Sequence, residues 1–249
     1  MNVLVTGGGT VAPIDDVRRI VNVSSGRFSA MLSEAFLRRD CHVTHLFAPG
    51  AQRPFHRLAA FDLSTHDPSS EMARLARLRE EWDDVRVRYQ ELPLRTGSVL
   101  DYAETLGTAS GTRNFDLILL AMAVSDYEPT PRLGKLESSA ETLEIHCRRT
   151  PKVIRAVRSV CPEAYLVGFK LLSGSSREEL VDAAHEACRT NRSNATIAND
   201  LASIREGRHE VVLVTSSGTV QRFGPGDDMA DGVAGRLLEL ATAAGTARA

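Results

Sequence analysis

Residues 2–10 read NVLVTGGGT, a short apolar run that passes directly into three consecutive glycines. The apolar run is typical of a buried strand, and Gly7, Gly8 and Gly9 permit close backbone approaches that a side chain would block. A second turn of small polar residues, 22–26, precedes apolar residues at helical spacing between Phe28 and Phe36. A strand, a glycine turn and a helix start together favour phosphate binding, because free N–H groups meet the positive end of a helix.

The glycine run by itself has two interpretations. It is not a G-x-G-x-x-G fingerprint, and no Gly-Lys-Ser/Thr follows it, so it also fits a tight turn that binds nothing. The second turn favours the functional interpretation, because two small polar turns beside one strand predict a lined pocket.

Composition restricts the class of protein. The chain has 249 residues, 43% of them hydrophobic and 25% charged, with a net charge of −2, values ordinary for a globular protein. This charge offers no electrostatic footprint for nucleic acid or anionic lipid. No apolar run is long enough to span a membrane, and the chain enters its first strand without a leader segment. We therefore expect a cytoplasmic protein with no nucleic-acid or membrane partner.

Cysteine and histidine do not indicate a metal site. Cys41, Cys147, Cys161 and Cys188 are scattered, with no C-x-x-C pair, so we expect reduced thiols and no zinc centre. The histidines His42 and His45 fit surface or packing positions in a second strand.

Apolar strand patterns alternate with helical patterns along most of the chain. Strands are predicted at 42–48, 85–92, 115–124, 143–147, 164–172 and 195–198, helices at 70–82, 98–106, from Thr150 onward, 175–188 and 227–243, and a hairpin at 210–223. The order predicts an α/β fold: a Rossmann-like, doubly wound, mainly parallel sheet with a flap and a C-terminal β-hairpin plus helix. We expect one domain, 1–249, with an insertion at about 51–84 and a flap at about 128–150.

Three further positions each have a functional and a bland interpretation. Asp126 follows a central strand, where ligands of open α/β sheets bind, but it also fits a turn aspartate. Lys135, on the flap, is either a phosphate ligand or a solvated charge. Phe169, after a glycine inside a strand, either stacks on a base or belongs to the core.

Read together, the motifs resemble the phosphopantothenate–cysteine ligase family of coenzyme A biosynthesis, in its stand-alone bacterial form. The likeness covers nearly the whole chain except 51–84. The motifs that carry it occur in this order: VTGGGT (5–10), PIDDVR (13–18), NVSSG (22–26), AVSDY (123–127), KL (135–136), TPKVI (150–154), GFKLL (168–172) and IAND (197–200).

This resemblance implies an activity and a set of roles. The family activates 4′-phosphopantothenate with CTP to an acyl-cytidylate and couples it to cysteine, with Mg²⁺, without FMN and commonly as a homodimer. It implies that Asn22 holds the intermediate and that Lys135 serves activation. By the same resemblance, the nucleotide site comprises Gly7, Gly8, Gly9, Ala121, Met122, Ala123, Asp126, Pro151, Lys152, Val153, Ile154 and Phe169. The substrate-binding turn would comprise Ser24, Ser25, Gly26 and Arg27, and no metal ligand is implied.

Three departures from the family pattern affect the phosphate contacts. Arg27-Phe28-Ser29 stands where Lys-Met-Gly is usual. Two lysines that many relatives carry on the helix before the IAND motif are not matched in register here, and Arg189 and Arg192 are the nearest substitutes. Asp16 replaces a common proline.

Other functions remain open at this stage. A nicotinamide reductase is disfavoured, because no acidic residue follows the second strand and no lysine stands four residues after any tyrosine. A nucleotide-binding relative without catalysis, or a ligase for another acid and amine, would share the same motifs.

Overall fold

Strands and helices alternate from one end of the chain to the other. The structure is a computed structural model that describes residues 1–137, 139, 141–226 and 228–246. Its strands within that part are β1 (Asn2–Gly7), β2 (Val11–Pro13), β3 (Arg19–Val21), β4 (His42–Phe47), β5 (Tyr89–Pro93), β6 (Leu117–Leu120), β7 (Tyr127–Pro129), β8 (Cys147–Arg149), β9 (Tyr165–Leu172), β10 (Ala195–Asp200), β11 (Val211–Thr215) and β12 (Val220–Phe223). Its helices are α1 (Arg27–Leu37), α2 (Pro68–Val85), α3 (Val99–Thr112), α4 (Val153–Val160), α5 (Arg177–Asn191), α6 (Leu201–Arg205) and α7 (Met229–Thr246).

One eight-stranded sheet forms the centre of the molecule, in the order β12-β11-β10-β9-β6-β1-β4-β5. The strands from β10 to β5 are parallel, whereas β11 and β12 are antiparallel and form the C-terminal hairpin. All four residues of β6 are buried, as expected for a parallel strand that is covered on both faces. The predicted doubly wound sheet with a terminal hairpin and helix is confirmed.

Helices cover both faces of this sheet. In β1, Val3 and Val5 pack into one core with residues of α1 and α7, and Leu4 packs into a second core with residues of α3 and α4. The alternation follows from the strand geometry, in which successive side chains point to opposite faces.

The carboxyl ends of β1 and β6 form the switch point of the sheet. From β1 the chain passes through α1 to β4 on one side, and after β5 it returns through α3 to β6 on the other side. Connections that leave in opposite directions open a crevice between neighbouring strand ends, and ligands of open α/β sheets bind there. The glycine turn and residues 121–126 both lie at this crevice.

The segment predicted as an insertion contains an element that the fold requires. β4 and β5 are parallel neighbours, so a crossover must join them, and α2 is that crossover. Helix α2 begins earlier than predicted, because Asp67 caps it and Pro68 is its first residue. The predicted strand at 85–92 is wrong in its first half, since Val85 ends α2 and a 3₁₀ turn covers Arg86–Arg88.

Local signals also misplaced three other boundaries. Residues 142–146 are not a strand, and the flap pairs through Cys147–Arg149 instead. Thr150 does not cap α4, because the cap residue is Lys152. Helix α5 is capped by Ser176 in a capping box with Glu179, one residue after the predicted start. The predicted start of the last helix, Asp227, lies outside the described residues.

All four cysteines are free thiols, as predicted. Within the described part of the chain, every helix is too short or too polar to cross a membrane.

Candidate active site

The glycine turn and the second turn are in direct contact. A Cβ added to Gly9 would lie 1.8 Å from the carbonyl oxygen of Asn22, so only glycine permits this approach. A Cβ added to Gly26 would lie 3.3 Å from the amide nitrogen of Gly8. The two turns therefore form one continuous backbone surface at the carboxyl end of β1.

Helix α1 points its amino end at this surface. Its cap residue, Gly26, has a left-handed backbone (φ 71°) and supplies no side-chain cap, and its first turn has no acidic residue. The first amides of a helix lack partners within the helix, and the helix dipole makes this end positive. Among the described residues, the amides of Gly8 and Gly9 also make no backbone hydrogen bond. The surface can donate several hydrogen bonds to an anion.

The segment 121–125 forms the opposite wall of the crevice. The amide of Ala123 donates to the carbonyl of Gly8 at 2.9 Å, and the amide of Thr10 donates to the carbonyl of Ala123 at 2.9 Å. The Thr10 hydroxyl accepts from the Ser125 amide at 2.9 Å. These bonds continue the pairing of β1 with β6 beyond the strand ends and bring Ala121, Met122 and Ala123 beside the glycine turn.

Two residues that hold this wall in place, Thr6 and Tyr102, were not predicted from the sequence. The amide of Met122 donates to the hydroxyl of Thr6 at 3.2 Å, and that hydroxyl lies 3.2 Å from the hydroxyl of Tyr102. Thr6 and Tyr102 are buried. Because they lie 96 residues apart, no local pattern could have paired them.

Asn22 begins the second turn, and its side chain is available to a ligand. Its amide nitrogen donates to the carbonyl of Thr10 at 3.1 Å, which fixes the backbone. The side chain is half-buried and has no hydrogen-bond partner among the described residues. A carboxamide both donates and accepts, so it can bind two different atoms of a ligand.

The other residues of the predicted turn differ in exposure. Ser24 is half-buried, Ser25 and Arg27 are exposed, and Gly26 is buried. The Ser25 carbonyl accepts from the Gln52 amide at 2.8 Å, which ties the turn to the loop after β4. Arg27 has no ion-pair partner among the residues that the structure describes, so its charge is available to a ligand.

Asp126 and Lys152 pair with each other across the mouth of the flap. The Lys152 ammonium lies 2.5 Å from a carboxylate oxygen of Asp126, and both side chains are largely exposed. Thr150 joins the same two strand ends, since its hydroxyl donates to the Ser125 carbonyl at 2.6 Å. This tertiary bond explains why Thr150 is not a helix cap.

The residues after Lys152 face the core rather than the crevice. Val153 is buried, and Ile154 packs beside it in the core that α3 and α4 cover. A Cβ added to Gly168 would lie 3.1 Å from the Ile154 side chain. The glycine in β9 therefore accommodates a packed isoleucine, whereas Pro151 remains exposed.

Phe169 packs against the altered start of α1. Its ring centroid lies 6.1 Å from that of Phe28, which in turn lies 5.2 Å from that of His209. Burial, with the nearby charge of Arg27 as a second cause, lowers the pKa of His209. The substitution at Phe28 is thus integrated into an aromatic cluster of Phe28, Phe169 and His209.

The two ends of the flap lie side by side. Strands β7 and β8 pair in antiparallel fashion at its base. Lys135 is exposed, and its ammonium has no ion-pair partner among the described residues. Ser138 falls within the predicted flap of about 128–150 and lies outside the described residues.

His45 lies behind the glycine turn, as a buried packing residue. Its Nδ1 lies 3.2 Å from the Tyr89 hydroxyl, and its Nε2 has no partner among the described residues. A Cβ added to Gly7 would lie 3.2 Å from this Nε2. Burial, and the nearby charge of Arg53, lower the pKa of His45 to about 4, so the ring is neutral near pH 7.

Arg189 and Arg192 do not replace the missing lysines at the crevice. Both lie at the end of α5, which runs from the carboxyl end of β9 to the amino end of β10. They are therefore at the opposite edge of the sheet, where Arg189 pairs with Glu186.

The described residues contain no group of three or more His, Cys, Asp or Glu side chains that converge as metal ligands. Mg²⁺ commonly reaches a site on the phosphates of a nucleotide, with few protein ligands, and such binding needs no group of this size.

The fold and the crevice define a doubly wound α/β protein with a surface of backbone amides at its switch point. A family model described as the DNA/pantothenate metabolism flavoprotein C-terminal domain matches residues 1–88 and 99–242. The chain belongs to this family, which confirms the resemblance found in the motifs. The matched residues include 51–84, the segment predicted as an insertion.

Curated relatives cover most of the chain. Phosphopantothenate–cysteine ligase 2 of Oryza sativa is 30% identical over 261 residues, covering 96% of this chain and 79% of the relative. The human phosphopantothenate–cysteine ligase is 30% identical over 240 residues, covering 86% and 75%. The bifunctional coenzyme A biosynthesis protein CoaBC of Methanocaldococcus jannaschii is 29% identical, and the chain spans only 44% of its length.

Solved structures share the fold. The DNA/pantothenate metabolism flavoprotein of Streptococcus pneumoniae has a TM-score of 0.75 at 24% identity, covering 98% of this chain and 99% of that one. A Cab2 variant in complex with phosphopantothenate-cysteine has a TM-score of 0.81 at 20% identity, covering 99% and 88%.

Proposed function

We propose that this chain is a phosphopantothenate–cysteine ligase that uses CTP, with residues 1–249 as one synthetase domain. The observation that carries the proposal concerns Asn22: its backbone carbonyl lies against Gly9, it precedes the amino end of α1 by a few residues, and its carboxamide has no hydrogen-bond partner among the described residues. The names of the rice and human relatives agree with it.

In the first half-reaction, a carboxylate oxygen of 4′-phosphopantothenate attacks the α-phosphorus of CTP. The bond from that phosphorus to the bridging oxygen breaks, and pyrophosphate leaves. Both reactants are anions, so the enzyme has to hold them together with donors and cations. The amides around Gly8 and Gly9, the amino end of α1 and the cation Arg27 supply such groups at the crevice.

In the second half-reaction, the amine of cysteine attacks the acyl carbon of the acyl-cytidylate. The bond from that carbon to the phosphate oxygen breaks, CMP leaves, and the amine gives up a proton as the amide forms. We assign Asn22 to the acyl-cytidylate, because its NH₂ group can donate to one oxygen of the mixed anhydride while its oxygen accepts from a neighbouring hydroxyl or amine.

We assign the flap and its mouth to the nucleotide. Lys135 is exposed and has no ion-pair partner in the described part of the flap, and its point charge is suited to a phosphate. The ion pair of Lys152 with Asp126 lies where the triphosphate would pass, and phosphate would compete with Asp126 for the ammonium. The walls Gly7–Gly9 and 121–123 would enclose the nucleotide through backbone groups.

Four further properties of the enzyme are proposed on the family resemblance alone. Mg²⁺ would enter on the triphosphate, the location would be cytoplasmic, no flavin would take part, and the enzyme would be a homodimer. Sedimentation tests the last of these, since a homodimer has twice the 27.1 kDa mass of the chain. A monomer of 27.1 kDa at micromolar concentration would contradict the homodimer.

The test is pyrophosphate release from CTP with 4′-phosphopantothenate, first without and then with cysteine. We expect a burst that requires phosphopantothenate and becomes steady turnover when cysteine is added. Release with ATP only would reassign the nucleotide. No release with either nucleotide, in folded protein that still binds CTP, would favour a non-catalytic relative, and release with a different acid would favour a ligase for another substrate pair.

A further inference from the structure

The tip of the β2–β3 hairpin holds the flap on both sides of Lys135. Asp15, in the turn of this hairpin, accepts a hydrogen bond from the Leu136 amide through Oδ2 at 3.0 Å. Asp16 accepts one from the Gly134 amide through Oδ2 at 3.0 Å, and its own amide donates to the Gly134 carbonyl at 3.2 Å. We name these contacts the hairpin–flap clip.

Asp15 is fully engaged in this clip. Its Oδ1 accepts from the amides of Val17 and Arg18 at 2.8 and 2.6 Å, which closes the hairpin turn. Its Oδ2 also accepts from the Arg18 guanidinium at 2.9 Å. The carboxylate is only 5% exposed although it lies on a surface hairpin. The hydrogen bond from the Leu136 amide is the main cause that lowers the pKa of Asp15 to about 2.

The base of the same hairpin holds Asn22. The Asn22 amide donates to the Thr10 carbonyl, directly outside β2 and β3. Each strand has three residues, so the tip lies about 10 Å from the base at 3.3 Å per residue. One short ribbon therefore carries Asn22 at its base and holds Lys135 at its tip.

We propose that Asp15 is a positioning residue for the ligase reaction: it holds the flap so that Lys135 stands at a fixed distance from Asn22. The proposal rests on the proposed function, in which Lys135 acts on the activation step. Asp16 reinforces the clip from the other side of Lys135. Both carboxylate oxygens of Asp15 accept hydrogen bonds from Arg18 or from backbone amides, which compensate its charge. Asp15 therefore does not draw the Lys135 ammonium away from a phosphate.

The test is Asp15→Asn. The amide oxygen of asparagine can still accept from the amides of Val17 and Arg18, but its NH₂ group replaces the oxygen that accepts from the Leu136 amide and the Arg18 guanidinium. The variant therefore removes the Asp15 part of the clip and keeps the two amide bonds that close the turn, while the contacts of Asp16 with Gly134 remain. A displacement of a catalytic group by about 1 Å can cost on the order of 100-fold in rate. We expect kcat for pyrophosphate release to fall at least about ten-fold, with KM for CTP changed less than about three-fold.

A second readout does not depend on activity. Hydrogen exchange at the Leu136 amide should become faster in Asp15→Asn, because that amide loses its acceptor. The matched control is Asp67→Asn, which alters a carboxylate that also accepts from a backbone amide, at the cap of α2. The control should change neither kcat nor exchange at Leu136.

Several results would overturn the proposal. Wild-type kcat in Asp15→Asn, or a rise in KM with kcat unchanged, would mean that Asp15 does not position Lys135. If Asp15→Asn fails to fold, Asp16→Ala keeps the Asp15 turn, removes the side-chain acceptor for the Gly134 amide and should give a smaller fall in kcat; wild-type kcat in that variant would overturn the proposal instead. Normal release in Lys135→Gln would remove Lys135 itself from the mechanism, whereas no release in the wild-type protein would refute the proposed function.

Discussion

Asn22 is fixed through its backbone and free through its side chain. The Thr10 carbonyl holds its amide, and Gly9 lies against its carbonyl oxygen so closely that a methyl group would not fit. The backbone position from which the carboxamide extends is thus fixed, and both the NH₂ group and the oxygen of the carboxamide are available for hydrogen bonds. A residue held in this way can discriminate between ligand atoms without a change in the fold.

Asn22→Asp should therefore separate the first half-reaction from the second. The variant replaces a donor by a negative charge beside the phosphate of the acyl-cytidylate, and loss of one such donor typically costs about 100-fold in rate or more. We expect pyrophosphate release to persist and cysteine-dependent turnover to fall by about that factor, measured by the formation of CMP and the amide product.

Asn114→Asp is the matched control, since Asn114 is exposed near the amino ends of the strands. Unchanged cysteine-dependent turnover in Asn22→Asp would remove Asn22 from the second half-reaction.

Residue identities were more predictable than residue partners. The ordered motifs identified Asn22, Lys135 and Asp126 as candidates. They could not reveal that Asp126 pairs with Lys152, or that Asp15 binds the amide of a residue 121 positions away. Such contacts depend on how the flap folds back, and no local periodicity encodes that path.

At the scale of elements, a buried ion pair joins the loop after β4 to α1. The Glu34 carboxylate accepts from the Arg57 guanidinium at 2.9 and 2.8 Å and from the Phe55 amide at 2.8 Å. The Glu34 side chain is 2% exposed and that of Arg57 is 14% exposed. This pair fixes the path of the chain before α2.

Arg57→Met should destabilise the protein strongly. It leaves the Glu34 carboxylate buried without its counter-ion, and removing one partner of a buried pair typically costs about 3–5 kcal/mol. Urea unfolding would measure this loss.

Arg79→Met is the control, because the Arg79–Asp83 pair on α2 is exposed and screened by solvent, so its loss should change the free energy of unfolding far less. Equal, small losses in the two variants would show that the loop is held by other contacts.

Element types followed from the sequence, but several ends did not. Helix α3 starts at its predicted cap, Ser98, because the cap bond to Asp101 is local. Thr150 has the same local preference, yet its hydroxyl donates to Ser125, 25 residues earlier in the chain. A tertiary hydrogen bond competes with the cap there, and only the folded chain shows which one forms.

At the scale of the whole molecule, stability and chemistry occupy different regions. The two main cores lie on the two faces of the sheet, whereas the proposed reactive groups lie in turns and loops at the carboxyl edge. His45 is an exception, because this buried ring lies directly behind Gly7. Its ionisation therefore links the pH of the solution to the stability of the fold.

Stability should fall as the pH drops from about 6.5 to about 4. The folded-state pKa of His45 is about 4 and its ordinary value is 6.5, so between these values the unfolded chain binds a proton that the folded chain does not. At 1.36 kcal/mol per pKa unit, the effect amounts to roughly 3 kcal/mol. Urea unfolding across this pH range would measure it.

His45→Gln should flatten the curve, whereas His42→Gln, on the exposed start of the same strand, should leave it unchanged. An equally steep curve in His45→Gln would assign the acid sensitivity to other groups.

The aromatic cluster of Phe28, Phe169 and His209 has an evolutionary consequence. These three positions come from α1, β9 and the segment before β11, and the rings meet within 6.1 Å. Replacing Phe28 by the methionine usual in the family would leave the other two rings without their partner. The three positions should therefore covary among relatives. Phe28→Met alone should be more harmful to the protein than the same substitution together with changes at Phe169 and His209.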